Sequence, residues 1–154
     1  MGQCSAEKVT AIVIEREFMT NAAACAHAML ENATYIEKEL GSLDISESLR
    51  VAIREVCSGL NGTKHDVVHE LGDIPDLLGS LKSEVVPDRV RRIMAWLSED
   101  VSKLHALVKS LEALAKEDKR IVVAYLLVAE SATNILHRFT EAGDAADKYI
   151  QSVE

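Results

Sequence analysis

Between about Glu7 and Leu40 no glycine or proline interrupts the chain, and apolar residues fall at Ala11, Ile14, Phe18, Ala22, Cys25, Met29, Ala33, Ile36 and Leu40. Steps of three and four put these residues on one face of a single long helix. The triplets Ala11/Ala22/Ala33, Ile14/Cys25/Ile36 and Phe18/Met29/Leu40 share an eleven-residue spacing, which keeps a helix nearly straight. The middle of the stripe is small, because Ala22, Cys25 and Ala26 allow a close helix approach or leave a space. Gly41 supplies a stop.

Asp44-Ile45-Ser46-Glu47 reads as a capping box, with Asp44 at the cap and Glu47 reaching back three residues later. The stripe of the second helix is Ile45, Leu49, Ile53, Val56, Leu60, Val67, Leu71, Ile74, Leu78 and Leu81, in phase across Gly59-Leu60-Asn61-Gly62. Pro75 removes an intrahelical donor and clashes one turn back, so a break or kink is expected near Gly72-Pro75, with a possible short fifth helix to about Lys82. Val86-Pro87-Asp88 opens a third helix, its proline in the first turn and its aspartate beside the positive end of the dipole. The heptad Val90, Met94, Leu97, Val101, Leu104, Val108, Leu111 and Ala115 follows, suited to shallow packing angles. Lys116–Arg120 contains neither glycine nor proline, so two readings stand there, a tight turn, which is preferred, and one helix continuing through.

The last stretch, Ile121 to Val153, opens with an unbroken apolar run to Ala129. Ile121, Tyr125, Val128, Ala132, Ile135, Phe139, Ala142, Ala146, Tyr149 and Val153 form its seam, whereas Val123, Leu126 and Leu127 point elsewhere. The pattern predicts an all-α fold: an up-down-up-down four-helix bundle, forming a single domain over residues 1–154.

Composition sharpens this picture in three ways. Two prolines, seven glycines and 4% aromatic residues in 154 favour helix over sheet. A net charge of -8 argues against a general phosphate-backbone binder and makes the protein acidic. Cys4, Cys25 and Cys57 are odd in number and lack metal-ligand spacing, so reduced thiols in a cytoplasmic protein are expected. There is no signal segment and no apolar run of about 20 residues, so no membrane association is expected. Met1-Gly2-Gln3-Cys4-Ser5 approaches an acylation motif, but Ala6 stands where serine or threonine is required.

Candidate chemistry is sparse. His65 and His69 share a helix face near Asp66 and Asp73, yet both fall about 160° to 200° from the apolar stripe, where no bundle metal site forms. His27 is likewise opposite its stripe, and His105 is on a flank. Asn61-Gly62-Thr63-Lys64-His65 is similar to the Arg-Asn and His motif of HEPN-type helical ribonucleases. Leu60 occupies the place of the arginine that would stabilise the scissile phosphate, which removes the anion clamp. No catalytic residue, cofactor or metal is therefore expected.

Two functions remain. The first is a non-enzymatic interaction module, such as an adaptor, regulator or chaperone-like protein. It would use Val123, Leu126, Leu127, Glu130 and His137 on the last helix to bind a protein partner or a second copy. The second is a small-molecule sensor or carrier, with a pocket near Ala22, Cys25 and Asn32 that Met29 and Tyr125 complete.

Overall fold

The computed structural model describes residues 2–72 and 86–153, which form four helices: α1 (Gly2–Leu40), α2 (Glu47–Gly72), α3 (Val86–Glu117) and α4 (Ile121–Val153). They stand in a ring in chain order. Both α2 and α4 pack against α1 and α3, while α2 and α4 lie diagonally and do not touch. Neighbours run antiparallel, as contacts between opposite helix ends show: Glu17 of α1 meets Lys148 of α4 at 3.3 Å, and Glu70 of α2 meets Arg92 of α3 at 3.4 Å. The expected bundle is therefore the observed one. The described part of α2 runs to Gly72, and the predicted break near Pro75, with Ile74, Leu78, Leu81 and the possible fifth helix, lies outside the described residues.

Helix ends are set by side chains. Gly41 follows α1 without the left-handed conformation that a glycine stop implies, since no glycine among the described residues has positive φ. Instead the Ser42 hydroxyl donates to the Glu39 carbonyl at 3.1 Å and the Leu43 amide to that of Leu40 at 3.1 Å. The cap of α2 is Ser46 rather than Asp44: its Oγ accepts from the Leu49 amide at 3.3 Å, two residues later than the capping-box reading places it. The turn expected between α3 and α4 is present. Asp118 there accepts from the Arg120 amide at 3.0 Å and also binds the Arg120 guanidinium.

The core follows the predicted stripes with one systematic shift. On α3 the fully buried residues are Val90, Ile93, Leu97, Asp100, Leu104, Leu107 and Leu111, while Met94, Val101 and Val108 are half-buried. Met94 reaches Gly143 of α4, and Asp100 reaches Gly59 of α2. A helix wedged between two neighbours buries both flanks of its stripe, and the heptad marks only one flank. The same shift on α4 buries Ala124, Ser131 and Ala145 alongside Val128, Ile135, Ala142, Ala146 and Tyr149.

Candidate functional site

Of the apolar residues predicted to face away from the α4 seam, Val123 is 49% exposed and Leu126 57%, whereas Leu127 packs against the core. Glu130 and His137 are exposed on the same side, and His137 Nε2 lies 3.1 Å from Glu141. Two further apolar residues missed by the sequence reading join this face: Val122, 36% exposed, and Leu136, 51% exposed. Both sit at positions that a seam-centred reading treats as flanks.

Beside this face runs a largely apolar groove of about 430 Å³ between α3 and α4, lined by Val101, His105, Val108, Ala129, Thr133 and Leu136. The hydroxyls of Thr133 and Thr140 donate to the carbonyls of Ala129 and Leu136 at 3.0 and 2.9 Å. Bonded back into the helix, these hydroxyls need nothing from outside, and the threonine methyls are left to extend the apolar surface. The outer face of α4 is thus a water-exposed stripe whose threonine hydroxyls are internally satisfied.

The residues of the alternative pocket are elsewhere. Ala22, Cys25 and Met29 are fully buried. The Asn32 side-chain amide is occupied by the Ala28 carbonyl at 2.7 Å, and Tyr125 packs half-buried against the core. The small side chains let α1 approach its neighbours closely, and the larger openings on the surface have other linings. Asn21, like Asn32, donates to a carbonyl one turn back, at 2.8 Å.

Burial pushes the thiols of both Cys25 and Cys57 up to about 12, with Arg138 opposing the rise at Cys25 and Glu37 adding to it at Cys57. At neutral pH such thiols are protonated and unreactive. His65 and His69 stack with ring centroids 6.5 Å apart on the exposed side of α2, as the wheel predicts. Among the described residues no group of three or more metal-ligating side chains converges.

Two buried carboxylates were not anticipated. Glu15 is 1% exposed, and neither of its carboxylate oxygens has a hydrogen-bond partner. Burial raises its pKa, and its charge in turn adds to the burial that raises that of Tyr149. Glu15 sits beside a small void with Phe18 and Met19 of α1, Leu71 of α2, and Arg89 and Val90 of α3. Asp100, 5% exposed, is also raised, chiefly by burial, while a hydrogen bond from Thr63 pulls the other way and its Oδ2 has no partner. The signal for Glu15 was available: the steps Glu15–Phe18–Ala22–Cys25–Met29 are three and four, so it occupies a seam position with the wrong chemistry.

No known family model, no curated protein and no solved structure matches this chain.

Proposed function

We propose that this protein is a non-enzymatic, cytoplasmic interaction module of the adaptor, regulator or chaperone-like kind, whose outer α4 face takes the apolar stripe of a helix from another protein molecule. The observation that carries the reading is the exposure of Val122, Val123, Leu126 and Leu136 along one helix beside an apolar groove. A bundle core needs none of them, since the seam of α4 is already filled by Val128, Ile135 and Tyr149. The buried, protonated thiols fit a reducing compartment. The net charge of -8 favours a protein partner over nucleic acid. Among the described residues no helix is long and apolar enough to cross a membrane.

Replacing Val123 and Leu126 together by glutamate tests the proposal. Because both are exposed, stability is expected to stay within about 1 kcal/mol of wild type. Complexes formed by the wild-type chain, read by light scattering and by chemical cross-linking, should be lost. A variant that unfolds as a core mutant does, or a wild type whose association the two glutamates leave unchanged, would overturn the reading.

A further inference from the structure

The outer stripe of α4 has a pattern of its own beyond exposure. Val122, Leu126, Ala129, Thr133, Leu136 and Thr140 follow one another at steps of four and three, a second heptad seam on the side opposite the core. Its ends carry opposite charges: Lys119 precedes it and Asp144 follows it, both exposed and neither making an ion pair or side-chain hydrogen bond among the described residues. Of the other charges nearby, Arg120 is engaged with Asp118, and Glu141 with His137 and Arg138.

Resting on the interaction role given above, we infer that the occupant of this face is a second copy of the chain, with the two α4 helices antiparallel about a two-fold axis near residue 131. The registry follows from the sequence numbers. In an antiparallel pair centred there, Leu126 lies opposite Leu136 of the other copy, Val122 opposite Thr140, and Ala129 opposite Thr133. Small residues therefore meet at the axis and large ones on either side of it. The same registry puts Lys119 opposite Gly143 of the other copy, one position from Asp144, at both ends, which lie about 38 Å apart at 1.5 Å per residue.

A parallel pair would instead oppose lysine to lysine and aspartate to aspartate. A two-fold axis makes the contact self-complementary and closed, so it yields a dimer rather than a filament. The threonine hydroxyls within the seam are already bonded to their own helix, so pairing leaves no polar group of the seam orphaned. Glu130 lies on the flank near the axis in both copies, a like-charge contact that solvent screens.

Mixed disulfide trapping in a Cys4→Ser background tests this geometry, since Cys25 and Cys57 are buried and unreactive. Leu126→Cys mixed with Leu136→Cys should give a covalent heterodimer, whereas each variant alone should trap poorly, its two copies being about 15 Å apart along the axis. Sedimentation equilibrium adds a charge test. Lys119→Glu alone should weaken the dimer roughly tenfold through the two ends together, and adding Asp144→Lys should restore it.

Preferential trapping of Leu126→Cys with itself would overturn the antiparallel pairing while leaving the face an interface. So would a chain that stays monomeric but forms complexes with other proteins that are sensitive to Val123→Glu and Leu126→Glu. A chain without any association would overturn both this inference and the role it rests on.

Discussion

Glu15 is a carboxylate placed where the helix seam calls for a hydrocarbon. It has no partner and is raised by burial, so the folded state holds its proton above the pH at which the unfolded chain, near 4.5, releases it. Between those two points the native state binds more protons, and by linkage its stability falls as pH rises. The contribution is complete below about 4.5 and disappears as pH climbs through the raised native value. Asp100 has the same sign for the same main cause. Glu15→Met fills the same space without a charge and is expected to raise stability at pH 7.5 by about 1–3 kcal/mol. Urea denaturation checks this, and the gain over wild type should shrink as pH approaches 4.5. A gain that does not vary with pH would mean that the folded protein does not hold the Glu15 carboxyl above its unfolded pKa.

At the scale of elements, side-chain caps decide where the helices start. Ser46→Ala should cost about 1 kcal/mol, because the Leu49 amide loses its acceptor, whereas Asp44→Ala should cost little; thermal melts of the two variants compare them directly. Most core positions were legible in the spacing of apolar residues, whereas the α3–α4 turn was only the preferred of two readings, because Lys116–Arg120 carries no glycine or proline to mark it. The cap was misplaced because Asp44 and Ser46 are both good acceptors, and only the geometry of the preceding turn decides which meets the first free amides. The seams of α3 and α4 were half legible. Periodicity gives the direction of a stripe, but its width depends on how many neighbours a helix has, and that is a tertiary fact. Asp100 and Ser131 were hidden for this reason: each lies on the flank that the heptad did not mark. On the candidate face, surplus apolarity set Val123 and Leu126 apart from the seam without deciding between a covered and an open face, and both are exposed. Leu127 was misjudged because it lies close enough to the boundary of the stripe to reach the core.

For the molecule as a whole, the most extensive helix contact is between α1 and α4, and both helices bury several alanines: Ala22, Ala26 and Ala33 on α1, and Ala124, Ala142, Ala145 and Ala146 on α4. Small side chains let the two backbones approach closely, and they lose almost no rotamer freedom on being buried. That spine joins the first helix of the chain to the last, so it closes the longest loop the fold contains, a slow step because loop entropy must be overcome before the contact forms. Native-state hydrogen exchange should therefore find the slowest amides in the middles of α1 and α4, opening only with global unfolding, and faster ones toward the end of α2. Slowest exchange in α2 and α3 instead would place the cooperative unit elsewhere. The outer stripe of α4 is then mounted on the part of the protein that opens last, so a partner meets a surface whose shape is set before contact, and little ordering remains to be done on binding.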